Sequence, residues 1–243
     1  MEKFKAYIAI DDTDEIGYFT STGEICEEIR EHVEKSYGQT TSVTRHQLLL
    51  HEDIPYTSHN SSMCFTLHAS QKEFQELQIF VEEYVLKKSA PSASAGICMG
   101  FEKDIVDISA LVSYGLDAKK RVLSKERAVA TAKEQNLFLK GFHNGGNGII
   151  GALAGVALRL SGNDGRVKGK ITLEKELVSV SELLSLGLFD EIRVNDGSAL
   201  NEKISIIVKE YLKGVCISHK IVLMVEKYGG FYKPLVKENL LDY

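Results

Sequence analysis

Four acids in five positions, Asp11, Asp12, Asp14 and Glu15, follow directly on the apolar run Tyr7-Ile8-Ala9-Ile10. Carboxylates crowded at a strand's end repel one another, and each resists ionising unless a cation is shared among them. Mg²⁺ suits such a place, because it takes one or two protein carboxylates and fills its other positions with water and phosphate oxygens. Asp11, Asp12 and Asp14 are therefore the candidate metal ligands and catalytic acids. Further on, Thr20-Ser21-Thr22-Gly23-Glu24 sets three hydroxyls at the opening of a helix, where free N–H groups favour phosphate. Thr20, Ser21 and Thr22 are therefore candidate phosphate contacts. The same residues also read as a capping box, Ser21-x-x-Glu24, a purely structural task. A calcium loop fits poorly: Asp12, Asp14 and Gly17 stand at EF-hand positions, but Ile16 occupies a ligand position and the closing Glu is missing. A strand followed by Asp12-Thr13-Asp14 also leaves open a phosphatase with an aspartyl nucleophile.

A second stretch with chemical content runs from His143 to Ala154. Gly146-x-Gly148-x-x-Gly151 follows an apparent strand and opens an apparent helix, formally the dinucleotide fingerprint. The acid that should hold a ribose is missing from a following strand, since Asp164 lies in the turn Ser161-Gly162-Asn163-Asp164-Gly165. What survives is a glycine turn whose backbone N–H groups can cradle an anion, or a tight turn that only packs a small-residue helix on a sheet. His59 and His143 are candidate donors to phosphate, against the plainer reading of solvated surface histidines.

The elements that must position these residues follow from periodicity. Ile25, Ile29 and Val33 recur at helical spacing between Gly23 and Tyr37, and Phe74, Leu77, Val81 and Tyr84 do so behind a second capping box, Ser70-x-x-Glu73. Tyr7–Ile10, Thr40–Leu50 and Met63–Leu67 read as extended, His51–Ser62 as a polar loop, and Ser89–Gly96 as a surface loop. Ile97–Met99 and Leu137–Phe142 read as strands, Ser124–Gln135 as a helix, and Asp104–Arg121 carries no clear period. From Gly165 onward short strands dominate: Lys170–Leu173, Val178–Val180, Ile192–Val194, Ile204–Val208 and Lys220–Glu226, with a brief helix at Ser181–Leu186. Phe231 and Tyr232 either pack on this lobe or face a partner.

Composition sets limits. With 243 residues, 44% hydrophobic and 26% charged, the chain has the make-up of a globular protein with a sizeable core. A net charge of −5 excludes a large basic surface, though not a local patch. The opening MEKFKAYIAI runs straight into a strand without a signal-peptide layout, and no apolar run approaches a membrane span, so a cytoplasmic protein without membrane contact is expected. Cys26, Cys64, Cys98 and Cys216 are widely spaced and read as buried thiols.

Three stretches together resemble a known family. Ile8-Ala9-Ile10-Asp11-Asp12-Thr13-Asp14, Ile54-Pro55-Tyr56, and Gly148-Ile149-Ile150-Gly151-Ala152-Leu153-Ala154 are similar, in order and spacing, to the signatures of archaeal agmatidine synthetases of isoleucine tRNA. Those enzymes use ATP to phosphorylate a wobble cytidine and replace the phosphate with agmatine. The resemblance covers about Tyr7 to Leu160. It implies that Asp11, Asp12 and Asp14 lie at Mg²⁺ and the ATP phosphates, and that the family's phosphorylated threonine falls on Ser21, beside Thr20 and Thr22. The chain departs from the family where Tyr56-Thr57-Ser58-His59-Asn60-Ser61-Ser62 and Gly145-Gly146-Asn147-Gly148 lack the family's lysines and arginines. Nor does it carry the cysteine pairs of the family's zinc ribbon, or a tail long enough for its OB-fold as well.

The expectation is thus a layered α/β kinase-like domain at 1–164 and a smaller strand-rich lobe at 165–243, which either stands as a ferredoxin-like lobe of its own or continues the same domain. The acids should lie at the C-terminal edge of an open sheet, beside the Gly146–Gly151 turn. The expected function is Mg²⁺-dependent ATP binding and phosphoryl or ligase-like transfer to a nucleoside, RNA or small molecule. Arg45, His59, Lys140 and His143 are the candidates to replace the missing cations. The alternative is a non-catalytic nucleotide or RNA binding module, and the third reading is the aspartyl phosphatase.

Overall fold

The computed structural model describes residues 2–54 and 59–240. Pro55 and Tyr56, on which the second family signature falls, lie outside the described residues, as do Thr57 and Ser58. The chain forms two compact units, Met1–Ser161 and Gly162–Tyr243.

The first unit runs β1 (Phe4–Asp11), α1 (Thr22–Tyr37), β2 (Thr44–Gln47), β3 (Ser61–Ala69), α2 (Gln71–Lys88), β4 (Gly96–Phe101), α3 (Ile108–Ala118), α4 (Lys125–Glu134), β5 (Phe138–Gly141) and α5 (Ile149–Ser161). Its strands lie in the order β5-β4-β1-β3-β2, and the pairings between them are antiparallel. β1 is therefore central and covered on both faces, which is why Tyr7 to Ile10 is a continuous buried run. Ala6, Ile8 and Ile10 pack against Ile25, Ile29 and Val33 of α1 and Leu77, Val81 and Val85 of α2. Tyr7 and Ala9, pointing the other way, pack against α3, α4 and α5. The result is a three-layer sandwich, helices on both faces of the sheet, and the layered α/β class holds.

β1 ends at Asp11 on an edge of the sheet, but with antiparallel neighbours that edge is not made of strand C-termini alone. A strand-helix-strand-strand-helix order admits either strand direction, and here the long connections return antiparallel strands. What gathers at one end of the sheet is the end of β1, the start of β4 and the end of β5, since Asp11 pairs with Gly96 and Gly96 with Gly141.

Helix α5 is apolar apart from Arg159 and its closing Ser161, and is buried from Ile149 to Leu160 except at Ile150, as befits a helix inside a layer. Its small residues let it lie close on the sheet: a methyl group on Gly155 would meet Ser62 of β3 and come 3.4 Å from Ala9 Cβ. The stretch without a clear period, 104–121, holds helix α3, capped by the Asp107 side chain on the Ala110 N–H.

The second unit contains β6 (Arg166–Val167), β7 (Leu177–Ser179), α6 (Val180–Ser185), β8 (Glu191–Val194), β9 (Ser205–Ile207), β10 (Gly214–Ile217), β11 (Lys220–Tyr228) and β12 (Phe231–Pro234). It is strand-rich, as expected, but with a single six-residue α-helix among the described residues it does not follow the two-helix β-α-β-β-α-β order of a ferredoxin-like lobe. The expected strand at Lys170–Leu173 is reduced to an isolated bridge between Ile171 and Leu212. All four cysteines are buried and free. No helix among the described residues is long and apolar enough to cross a membrane.

Candidate functional site

Asp11 ends β1 with its side chain turned under the first turn of α5. It is 8% exposed, and a methyl group on Gly151 would overlap its Oδ2. Burial, and then the charges of Asp12 and Asp14, hold its carboxyl well above the usual range, only partly offset by the Asp12 N–H. Asp12 adopts φ +55°, a left-handed conformation that Asp tolerates better than most residues. Its carboxyl is pushed up to about 6 by burial and by Asp14, against the pull of the Ser94 N–H. Asp14 is half-buried beside them.

The hydroxyl trio divides by task. Ser21 is an exposed N-cap: its Oγ accepts from the Glu24 N–H at 3.3 Å and donates to Glu24 Oε2 at 2.7 Å, completing the capping box. Thr22 is buried, and its Oγ1 accepts from the Thr13 N–H at 3.3 Å and the Thr13 hydroxyl at 3.0 Å. That pair closes the loop between β1 and α1 at its base, so the acids are anchored to the start of α1. Thr20 is half-buried.

The glycine turn reaches the acids from the other side. His143, Asn144, Gly145 and Gly146 take φ values of +46°, +30°, +89° and +60°, one continuous left-handed turn. Such backbone costs ~1–2 kcal/mol for each residue with a side chain, so neighbours must hold it. The holder is the loop 89–95, whose sequence reads as an ordinary surface connection. Asn144 Nδ2 donates to the Pro91 and Ala93 carbonyls at 2.9 and 3.2 Å, Ser94 Oγ donates to the Asn144 carbonyl at 2.7 Å, and the Gly148 N–H donates to the Ser94 carbonyl at 2.8 Å. The same loop meets the acids through the Ala90 N–H on the Thr13 carbonyl and the Ser92 N–H on Glu15 Oε2.

Gly148 and Gly151 act here by having no side chain. A methyl group on Gly148 would lie 2.7 Å from the Asp11 carbonyl oxygen. The N–H groups of Gly146, Gly148, Ile149 and Ile150 already have backbone acceptors, so the turn is not a row of bare donors. The positive end of α5 faces the Asp11 carboxylate instead.

The cations do not stand where the sequence suggests. Lys140 Nζ pairs with Glu82 of α2 and lies 5.6 Å from the Phe142 ring centre. Arg45 donates through Nε to Ser61 Oγ at 2.9 Å and through NH2 to Gln47 Oε1 at 3.4 Å. His59 and His143 are exposed. The cation found at the turn is Lys125, whose Nζ donates to the Gly145 carbonyl. It opens α4, and nothing in its local sequence marks it.

Among the described residues no group of three His, Cys, Asp or Glu side chains is arranged to hold a metal ion. The donor set fits an ion that asks for only one or two carboxylates, as Mg²⁺ does. Asp11 and Asp12 offer that pair, with a repulsion that a cation relieves.

No family model and no curated protein matches the chain. Solved structures do. The crystal structure of TiaS in complex with an isoleucine tRNA and ATP matches with a TM-score of 0.54 and 22% identity, over 73% of this chain and 39% of that one. The fold is similar to that of TiaS. A tRNA fluorescent labeling enzyme matches with 0.53 and 23% over 72% and 39%, and the complex of TiaS with the isoleucine tRNA, AMPCPP and agmatine with 0.53 and 19% over 82% and 51%. Apo TiaS, described as an agmatidine synthetase of isoleucine tRNA, matches with 0.51 and 21%. The chain thus spans between 39% and 51% of the length of the TiaS chains in the two tRNA complexes. At these identities the likeness speaks for the fold.

Proposed function

We propose that the first unit binds ATP with Mg²⁺ and transfers a phosphoryl group to a nucleoside or an RNA, in a reaction of the tRNA-modification type. The observation that carries this reading is the contact of the Asp11 carboxylate with the first turn of α5 at Gly151, which joins two motifs 140 positions apart in the chain. The fold shared with ATP-bound TiaS supports it.

In this reading Asp11 and Asp12 hold Mg²⁺, and Asp14 adds charge behind them. The ion neutralises phosphate charge when bound, the main electrostatic demand of phosphoryl transfer. Lys125 brings a second positive charge to the left-handed turn. Gly148 and Gly151 keep the approach to Asp11 clear, and Thr22 fixes the acid loop through Thr13. Ser21 and Thr20 are the hydroxyls open to phosphate, Ser21 only after releasing Glu24. His59 and His143 are the remaining candidate phosphate donors. Calorimetric titration tests the binding step: ATP should bind in Mg²⁺ and not in EDTA, and Asp11→Asn should abolish the difference. Transfer from γ-labelled ATP to RNA, or to the segment Thr20–Thr22, tests the chemistry.

One observation favours a second reading, a nucleotide-binding module without catalysis. Lys140 and Arg45 are engaged with Glu82, Ser61 and Gln47, which leaves less positive charge for a transferring phosphate. Tight Mg²⁺-ATP binding without label transfer to any RNA, nucleoside or protein residue would decide for it. An aspartyl phosphatase is the weakest of the three, because the chain offers no convincing downstream lysine and acidic pair to complete such a site.

A further inference from the structure

The second unit carries twelve Lys and Arg against twelve Asp and Glu, so the chain's charge of −5 rests on the first unit. Within this neutral unit, lysines and aromatics gather on one stripe. Leu212 is buried and exchanges backbone hydrogen bonds with Ile171 at 2.7 and 3.2 Å, so its two neighbours, Tyr211 and Lys213, turn the other way, and Lys209 stands exposed in the bend just before them. Lys170 Nζ, from the facing segment, lies 4.5 Å from the Tyr211 ring centre. Lys209 Nζ and Lys233 Nζ lie 5.7 and 5.1 Å from the Tyr228 ring centre. Tyr228 pairs across the β11–β12 hairpin with Phe231, and the two residues are 44% and 43% exposed. Tyr232, one residue on, packs into the unit's core instead. Acids near these residues include the exposed Glu210, Glu176, whose carbonyl accepts from the Val208 N–H at 2.7 Å, and Glu226, which pairs with Lys233 at 3.1 Å, while Lys213 Nζ donates to the Gly169 carbonyl at 2.7 Å.

Aromatic rings interleaved with ammonium groups on a narrow exposed track match a flexible polyanion whose flat bases are free to stack. A duplex hides those faces, whereas a single strand offers them to the rings while its phosphates meet the lysines. We propose that the stripe formed by Lys170, Lys209, Tyr211, Lys213, Tyr228 and Phe231 binds single-stranded RNA. The lysines contact phosphates, and the rings of Tyr228 and Phe231 stack on bases. The choice of RNA over DNA rests on the proposed acceptor of the first unit; the stripe itself does not.

The test uses the full chain in EDTA without ATP, and fluorescence anisotropy of a labelled single-stranded RNA of about 12 nucleotides, within the site sizes of such grooves. Unlabelled single-stranded RNA, duplex RNA, single-stranded DNA and phosphatidylserine vesicles serve as competitors. Single-stranded RNA should compete best. The double variant K170Q/K209Q should bind at least about tenfold more weakly and lower the slope of log affinity against log salt by about 1.4, some 0.7 for each lost phosphate contact. The double variant Y228A/F231A should weaken binding about fivefold or more at an unchanged slope, because stacking releases no counterions. Melting temperatures of the lysine variants should match the parent, which separates lost binding from lost folding. Asp11→Asn should leave RNA affinity unchanged while losing Mg²⁺-ATP, so failure of one reading is distinguishable from failure of the other. Absent RNA binding, unchanged affinity in the lysine variants, or stronger competition by duplex, DNA or vesicles would overturn the proposal.

Discussion

Asp12 holds a left-handed backbone and a carboxyl pushed up to about 6, by burial first and Asp14 second. An acid whose folded pKa lies above its unfolded value of ~3.9 binds its proton more tightly in the folded protein. Stability therefore falls as pH rises from about 4 to about 6, and the loss is complete above that window. Asp12→Asn removes the loss and keeps a residue that tolerates positive φ. In EDTA at pH 8 the variant should be more stable to urea by on the order of 1–3 kcal/mol, with the gain shrinking toward pH 4. Equal midpoints at pH 8 would show that the acids are already compensated. With Mg²⁺-ATP the ranking should reverse. Two glycines make a paired test of the turn. Gly151→Ala sets a methyl group on Asp11 and should abolish nucleotide binding, while Gly145→Ala, at φ +89° with open space around it, should cost only about 1 kcal/mol of stability. The acids and glycines are legible in the sequence because their types and clustering are unusual. Lys125 and the loop 89–95 are not, because what they do depends on partners about twenty to eighty residues away, Gly145, Glu15 and Thr13 among them.

At the scale of the element, the start of α1 is fixed by its capping box. Ser21→Ala should cost about 1 kcal/mol of stability, and Ser21→Asn should restore most of it, since the first loses the N-cap bond and the second remakes it. Thr22→Val should cost more, about 1–3 kcal/mol, because it strips the acceptor from a buried Thr13 N–H. Thermal or urea unfolding checks both. If Ser21→Asn keeps full stability yet loses label from γ-labelled ATP, the hydroxyl has a role beyond the cap. Helices α1, α2 and α4 can be read from apolar spacing and capping residues, and β1, β3 and β4 from buried runs. Helix α3 escapes because its buried positions, Leu111, Tyr114, Gly115 and Ala118, include a glycine and a tyrosine that blur the stripe. Strand direction escapes for a deeper reason. A buried run reads the same whichever way its neighbour points, so the antiparallel pairing of β1 with both β3 and β4 leaves no local trace.

For the molecule as a whole, charge decides what can approach the site. The first unit carries the whole deficit of −5, and in the proposed reading three of its acids, Asp11, Asp12 and Asp14, stand beside the bound triphosphate. Free ATP would then be repelled by the field of the unit and by those of the three carboxylates that are ionised. In that reading neutralisation would fall to Mg²⁺ and Lys125, because Lys140 is held by Glu82. Two consequences separate the sources. Removing Mg²⁺ should weaken ATP binding by at least about a hundredfold, more than a lone lysine can make up through a surface contact. Lys125→Gln should leave binding within about tenfold of the parent but lower label transfer much further, since a cation on the transferring group is worth about 10³–10⁵ in rate in related chemistry. Lys140→Gln should change neither, costing only the exposed ion pair with Glu82, about 0–1 kcal/mol. The three conditions are compared by calorimetry and by label transfer under single-turnover conditions. Should Lys125→Gln reduce binding and transfer equally, the lysine serves only to seat the nucleotide. Should transfer be absent in the parent as well, the unit is a nucleotide-binding module whose acids grip Mg²⁺-ATP without turning it over.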